Sequence, residues 1–242
     1  LRLDFAKRYK DKSEAWWNKE MHLIHDCKRF PVYLNDVARK IAAARDIRGA
    51  YRQKGQGLHE GYVKAPKTMK VNLGAQSVNI AGGVGHGKVM LWHALDQTWN
   101  GAAAAKLYSG PILKALKKEY PSRRNFTILE DNDPTGFRSR QGLAAKAQAH
   151  ITVFRSPPRS PDLNVCDYAL WRAVTLRMRR QERRWKKSKR ETRVQYLTRL
   201  RRTAKNLPAA KVRAMVGDMR RRCQRLFKAK GGWFEEGGKS CS

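Results

Sequence analysis

The chain has 242 residues, of which 53 are Lys or Arg and 20 are Asp or Glu, so its formal net charge is +33. Self-repulsion of this size disfavours a compact fold unless a polyanion neutralises it, and we therefore expect nucleic acid to be the partner. The sequence has no long apolar span, which argues against a membrane protein, and its four cysteines lack CxxC spacing, which argues against a zinc site or a disulfide framework.

The first part of the chain predicts two β-hairpins. An apolar run ends at Asp26 and a second strand-like run begins at Phe30, and together they predict the first hairpin. Two β-rich runs, SVNIAGG and KVMLWHAL, flank a Gly-rich turn and predict the second. The turn, GGVGHGKV, partly matches a phosphate-binding loop, but Val89 stands where that loop needs Ser or Thr and a strand-like run follows instead of a helix. We therefore interpret it as a hairpin turn.

Helix-like and strand-like segments then alternate up to about Met178. Residues 125–131 and 151–154 are predicted to be buried strands, and the segments around them have helical patterns, the first of which contains the helix breaker Pro111. The predicted helices cover residues 102–120, 139–150 and 160–178. Hairpins followed by this alternation predict an α/β fold, a mixed sheet with helices on its faces.

The end of the chain has a different composition. Between Arg172 and Lys230 there are 23 basic and 3 acidic residues, so we divide the chain into a mixed body, residues 1–178, and a basic helical C-terminal tail, residues 179–242. The tail is predicted to contain one helix around Val194, Leu197 and Leu200, and one longer helical stripe. The stripe consists of Val212, Met215, Val216, Met219, Cys223, Leu226 and Phe227.

A dense basic run opens this tail. We expect its side chains to hold nucleic-acid phosphates without reading the base sequence. The same run is typical of nuclear-import signals, so we expect the protein to act in the nucleus. The residues concerned are Arg179, Arg180, Arg183, Arg184, Lys186 and Lys187.

Three carboxylates stand at positions that would bring them together. Asp26 and Asp131 each end an apolar strand-like run, and both side chains would emerge at the same edge if these strands are neighbours. Asp167 shares a helical face with Trp171, Val174 and Met178, which must face the sheet. Like charges at close range repel, but divalent cations among them remove that penalty. Two such ions make a site for in-line phosphoryl transfer.

Simpler interpretations of the same residues remain open. The three acids are then unrelated strand-end and helix-cap residues, and Asp162 complements the dipole in the first turn of its helix. His22 and His25 lie beside Asp26, but adjacent residues of a strand face opposite sides, so we favour an ordinary strand-end histidine over a metal ligand. The role of Asp133, two residues from Asp131, stays ambiguous.

Two motifs resemble the catalytic core of the mariner-superfamily transposases, which are of the DDE/D type. ILEDNDP matches the family's apolar strand ending in Asp-Asn-x-Pro, and SPDLNVCDYALW matches its Ser-Pro-Asp-Leu segment with a final acid in the next helix. The gap between Asp131 and Asp167 is 35 residues, close to the family's spacing. IHDCKRFPV is similar to the segment that carries the first acid, and the likeness extends from about residue 20 to residue 236.

This resemblance implies a ribonuclease H-like catalytic domain. Asp26, Asp131 and Asp167 would be both the catalytic residues and the metal ligands, with two Mg²⁺ or Mn²⁺ ions as cofactors. The implied activity is that of a DNA transposase or endonuclease, which cleaves DNA strands and transfers them. The implied partners are the transposon ends and the target DNA, with a homodimer as the candidate assembly.

The chain departs from the family pattern in places. Asp133 replaces the usual small residue, no histidine follows Pro134, and Trp92 is followed by His93 instead of Gly. A catalytically inactive, transposase-derived DNA-binding protein is therefore the alternative, and a basic RNA-associated protein is a third reading. The family's N-terminal helix-turn-helix region has no room here, and since the chain begins at Leu1 without a methionine, we expect such a region to precede it.

Overall fold

The computed structural model describes residues 1–32, 34, 77–95, 98–186 and 190–234. Its strands are β1 (Leu23–Pro31), β2 (Ser77–Gly85), β3 (Lys88–Leu95), β4 (Phe126–Leu129) and β5 (Ile151–Phe154). Its α-helices are α1 (Arg2–Tyr9), α2 (Glu14–Glu20), α3 (Gly101–Leu107), α4 (Leu113–Glu119), α5 (Arg140–Gln148), α6 (Trp171–Glu182), α7 (Arg193–Lys205), α8 (Ala209–Gly217) and α9 (Met219–Lys228).

The five strands form one mixed sheet in the order β3-β2-β1-β4-β5. Strand β2 runs antiparallel to both of its neighbours, β1 and β3. Strand β4 runs parallel to both of its neighbours, β1 and β5. The predicted α/β architecture, a mixed sheet with helices on its faces, is confirmed. The parallel pairing places the carboxyl end of β4 beside residues 24–26 of β1.

The first predicted hairpin is wrong. β1 continues without a turn from Leu23 to Pro31, and it pairs along this length with β2, from Ile24 opposite Val84 to Pro31 opposite Ser77. The residues between Asp26 and Phe30 are Cys, Lys and Arg, none of which favours a turn, so the chain stays extended. Asp26 therefore lies within a strand, at the point where the pairing with β4 has ended.

The second hairpin is confirmed. Its turn consists of His86 and Gly87, whose φ angles are 50° and 71°. Positive φ at both central residues is the signature of a type I′ turn, which matches the twist of the strands it joins. The Gly-rich segment is therefore a hairpin, and β3 occupies the place where a phosphate-binding loop would begin a helix.

Pro111 does not end its helix but widens it. Residues Tyr108–Ile112 form a π-helical segment between α3 and α4, so the chain continues past the proline in helical form. A π-segment inserts one residue into a helix and is frequent at functional sites. Here it turns the buried Tyr108 towards the sheet, where its hydroxyl group donates a hydrogen bond to Glu130.

Helices cover both faces of the sheet and create two cores. One core lies beneath α1, α2 and α6–α9, and the other beneath α3, α4 and α5. The largest fully buried side chains, Trp17 in the first core and Tyr108, Phe126 and Phe137 in the second, fill these layers. No helix within the described ranges is long and apolar enough to cross a membrane.

The basic C-terminal helices pack on the same face as α1 and α2. The predicted stripe is buried from Val212 to Leu226, although Asp218 divides it between α8 and α9. In α7, Leu200 is buried as predicted, but Val194 is 73% exposed because α7 presents Tyr196 and Ala204 to the core instead. Helix α6 passes through residue 178, and the division of the chain at that point stays a prediction.

Gly85, at the end of the inner strand β2, tests how closely that end of the sheet is packed, and Gly110 provides the comparison. A β-carbon at Gly85 would lie 2.3 Å from the carbonyl oxygen of His22, a backbone atom that cannot move aside, whereas one at Gly110 would meet nothing within 4 Å. We expect Gly85→Ala to lower the free energy of unfolding by about 1–3 kcal/mol. Gly110→Ala is the matched control, which we expect to be neutral or up to about 1 kcal/mol more stable. Equal urea midpoints for the two variants would contradict this packing.

Candidate active site

The parallel pairing of β1 with β4 sets the positions of two of the predicted acids. Ile24 pairs with Leu129, and Asp26 and Asp131 each lie two residues beyond that last pair. Side chains two residues apart on a strand point to the same face, so the two carboxylates occupy equivalent places just beyond the last pair of β1 and β4. The sequence prediction of a shared edge is therefore consistent with the sheet.

Asp26 is held from both sides. Its Oδ1 accepts a hydrogen bond of 2.7 Å from the backbone N–H of Cys27, and its Oδ2 accepts one of 3.3 Å from the indole N–H of Trp171. Burial raises the pKa of Asp26, and these two donors act against that shift. The carboxylate is thus fixed in orientation but destabilised as an anion.

Asp167 reaches the same place from the start of the helix that follows β5. A short 3₁₀ turn, Pro161–Leu163, ends at Asn164, and the π-helical segment Cys166–Leu170 then leads into α6. The backbone N–H of Asp167 donates to the carbonyl oxygen of Asn164 at 3.0 Å. Burial raises the pKa of Asp167 to about 7, and the nearby carboxylates of Asp26 and Asp131 add to the shift.

Asp131 completes the set at the end of β4. Its Oδ1 accepts a hydrogen bond of 3.1 Å from the backbone N–H of Asp133. Burial raises its pKa, and the negative charges of Asp26, Asp133 and Glu130 raise it further. Asp26, Asp131 and Asp167 are therefore close enough for each anion to disfavour the next, as the sequence predicted.

This cluster suits divalent cations by its chemistry. The negative charges of Asp26 and Asp131 raise the pKa of Asp167, and the nearby positive charge of Lys28 does not cancel that shift. Carboxylate oxygens are the ligands that Mg²⁺ prefers. Within the described ranges no group of three or more His, Cys, Asp or Glu side chains has an arrangement that could hold a metal ion. Mg²⁺ keeps several waters and is commonly bound by one or two carboxylates with a phosphate, so an open arrangement of this kind fits it.

Asp162 has a different role from the one that its position in the sequence indicated. It lies in the 3₁₀ turn before α6 and is 4% exposed, and its two carboxylate oxygens accept hydrogen bonds of 2.9 and 2.7 Å from the guanidinium of Arg2. Its backbone carbonyl accepts another, of 2.9 Å, from Arg222. Asp162 therefore ties α1 and α9 to the loop that precedes Asp167.

Asp133 organises the loop after β4. Its carboxylate accepts hydrogen bonds from the indole N–H of Trp99 at 2.7 Å and from the backbone N–H groups of Thr135 and Gly136 at 3.0 and 2.9 Å. Burial works against its ionisation, but these donors prevail and lower its pKa. Because its oxygens are already engaged, Asp133 is a structural residue, and its backbone N–H positions Asp131.

A buried polar network on the opposite face of the sheet escaped the sequence analysis. Glu130 is 2% exposed and accepts hydrogen bonds from His25 Nε2 at 3.0 Å, from the hydroxyl of Tyr108 and from the ammonium of Lys146. His25 thus serves this network and not a metal site with Asp26. The alternation of side chains along a strand could have revealed it, because Glu130 precedes Asp131 and must therefore face the opposite side of the sheet.

The predicted phosphate-binding residues follow the site along α6. Arg179, Arg180, Arg183, Arg184 and Lys186 are exposed, and Lys187 lies outside the described residues. At a rise of about 1.5 Å per residue, Arg179 lies roughly 18 Å along the helix from Asp167. Their contact with DNA stays a prediction.

Comparisons with known proteins find likeness in structure alone. No protein-family model matches the chain, and no curated protein matches its sequence. The catalytic domain of Mos1 mariner transposase is similar, with a TM-score of 0.64 and 14% identity, over 97% of this chain and 94% of that one. A pre-cleavage Mos1 transpososome is similar with a TM-score of 0.68 and 17% identity, over 97% of this chain and 63% of that one.

A third structure, the Mos1 mariner paired-end complex with Mn, has a TM-score of 0.67 and 17% identity. The chain covers 62% of the chain in that complex, so it spans about three-fifths of the length of the longer transposase chains. These structures share the ribonuclease H-like fold that the sequence motifs predicted, and that prediction is confirmed.

Proposed function

We propose that this chain is the catalytic part of a DNA transposase, which cuts DNA strands and transfers them to a target. The observation that carries the proposal is the meeting of Asp26, Asp131 and Asp167 where the pairing of β1 with β4 ends. The fold shared with the catalytic domain of Mos1 mariner transposase supports it.

The protein's own contribution is to hold three acids in place. Cys27 and Trp171 orient Asp26, the N–H of Asp133 orients Asp131, and the π-segment orients Asp167. The negative charge of Asp26 raises the pKa of Asp167, and a bound cation would favour the ionised form in which both acids act as ligands. Two Mg²⁺ or Mn²⁺ ions, when bound, would supply the charge that activates the attacking oxygen and stabilises the leaving one.

DNA is the proposed substrate on grounds of charge and similarity. A net charge of +33 neutralises phosphates, and the exposed arginines at the end of α6 provide contacts that do not depend on base sequence. Mos1 has been solved in a paired-end complex with its left transposon end and in a strand transfer complex. By extension we propose transposon ends and target DNA as substrates here, in the nucleus.

Metal-dependent nicking of a supercoiled plasmid tests the proposal. We expect open-circular and linear products with Mn²⁺ or Mg²⁺, and none when EDTA removes the metal, because the carboxylates alone have no means to stabilise the leaving oxygen. Nicking that is equal in EDTA would refute a metal-dependent site. Salt-sensitive DNA binding without nicking, in a protein extended at its N-terminus as well as in this chain, would favour the inactive DNA-binding alternative.

A further inference from the structure

Two adjoining cavities flank Asp131. The first, of about 450 Å³, lies between Asp131 and Asp167 beneath the proline-rich loop that follows β5. The second, of about 610 Å³, continues from Asp131 across β5 to α1 and α5. They share wall residues and therefore adjoin at Asp131, and we call the two cavities together the trough. The shared residues are Asp131, Asn132, Ser156, Pro157 and Pro158.

The wall of this trough is fixed by hydrogen bonds. Asn132 donates from Nδ2 to the carbonyl oxygen of Ser156 at 3.1 Å, and the Ser156 hydroxyl donates to the carbonyl oxygen of Glu130 at 3.3 Å. Further along the loop, the guanidinium of Arg2 donates to the hydroxyl of Ser160 at 2.6 Å. The loop is thus tied to both β4 and α1, and the trough is a built feature.

One buried donor in the first cavity has no partner. Asn164 lines this cavity and is 4% exposed, and its Oδ1 accepts the backbone N–H of Cys166 at 3.0 Å. That bond directs Nδ2 away from Cys166, and Nδ2 finds no hydrogen-bond acceptor within the described part of the chain. A buried amide donor without an acceptor calls for a ligand oxygen.

The second cavity carries positive charge that the protein does not neutralise. Arg8, Arg138 and Arg155 line it and are exposed, and no ion pair or hydrogen bond engages the guanidinium group of Arg138 or Arg155 among residues 1–32, 34, 77–95, 98–186 and 190–234. Its acids other than Asp131 are Glu130, which belongs to the buried network, and Asp4, which is exposed on α1 and has its pKa lowered in part by the positive charges of Lys7 and Arg8.

We propose that the trough holds a single DNA strand, with the phosphate that reacts at Asp131 and the next phosphates held by Arg155, Arg138 and Arg8. This inference rests on the proposed function. A row of arginines leading from a carboxylate site matches a polyanion that continues beyond its reacting phosphate. The apolar floor, where Leu143 is 51% exposed beside Val153, offers contact to sugars and bases without reading their sequence.

The double variant Arg138→Gln/Arg155→Gln tests the proposed path of the DNA strand through the trough. Binding of a fluorescent single-stranded oligonucleotide is measured by anisotropy over a salt series in EDTA, so that no cleavage occurs. We expect the slope of log affinity against log salt to fall by about 1.4, because each lost phosphate contact on a single strand contributes about 0.7. The matched control is Lys114→Gln/Lys117→Gln, which removes the same charge from exposed positions on α4. We expect its slope to stay unchanged.

The outcomes separate this inference from the proposed function. Equal slopes for the Arg138→Gln/Arg155→Gln variant and the wild type would overturn the proposed path of the DNA strand even if the protein nicks DNA. A reduced slope in a protein that never nicks DNA would keep the strand path and reject the transposase. Equal reductions of the slope in the arginine variant and the lysine control would show that the effect is one of net charge, and would also overturn the inference. All arginine changes are at exposed positions, so the melting temperature serves as the check on folding.

Discussion

We expect that replacing Asp131 with Asn will abolish the proposed metal-dependent nicking and raise the melting temperature of the metal-free protein. Loss of a metal-binding carboxylate removes several kcal/mol of transition-state stabilisation, which corresponds to a rate loss of about 10³-fold or more. Stability changes in the opposite direction. The fold raises the pKa of Asp131, so the ionised group opposes folding at neutral pH, and a neutral amide removes that opposition. The amide oxygen still accepts the N–H of Asp133.

Nicking rates and thermal melts on the same preparations check this expectation. Asp11→Asn is the control, since Asp11 is 78% exposed and pairs only with its neighbour Lys10 among the described residues. We expect this control to nick DNA at the wild-type rate. An Asp131→Asn protein that nicks normally would show that the wrong acid has been assigned. One that loses both stability and nicking would show that Asp131 supports the fold, not the chemistry.

Much of the site was predictable because its geometry is local. Asp26 and Asp131 end apolar runs that are buried, and the parallel pairing of two such runs leaves both acids at one edge. The continuation of β1 to Pro31 was not predictable, because its partner β2 begins 46 residues later in the sequence. Strand ends are set by the length of the neighbouring strand as well as by local pattern, and that neighbour is distant in sequence.

Contacts between distant segments also decided what two polar residues do. Asp162 stands where a helix-capping acid is expected, but its partner is Arg2, 160 residues away, so the ion pair leaves no trace in the local pattern. The π-segment that carries Asp167 was likewise unpredictable, because a helical stripe of Trp171, Val174 and Met178 is equally consistent with a regular helix. The sequence predicted which acids form the candidate site, and the structure shows the contacts that hold them.

The buried network behind the site leads to the largest expected loss of stability. We expect Glu130→Gln to lower the free energy of unfolding by about 3–5 kcal/mol, because removing one partner of a buried ion pair leaves the other charge uncompensated. The remaining charge is that of Lys146, which is 3% exposed and would face two neutral acceptors, the new amide oxygen and the carbonyl oxygen of Phe137 at 2.7 Å, in place of an anion. Urea unfolding measures this difference.

The same substitution at the surface provides the comparison. Glu119 pairs with Lys88 at 2.7 Å, but Lys88 is half exposed, so Glu119→Gln is expected to lower stability by no more than about 1 kcal/mol. Equal losses for the two variants would mean that the buried network contributes no more than a surface pair.

A second change distinguishes an uncompensated charge from a disturbed core. If Lys146 is the source of the loss, Lys146→Met in the Glu130→Gln background removes the stranded charge and recovers much of the stability, as a double-mutant cycle would record. If the two losses add instead, the damage lies in packing around Tyr108 and His25, which donate to the same carboxylate. The cycle thus determines whether charge balance or side-chain packing stabilises the end of β4, from which Asp131 projects.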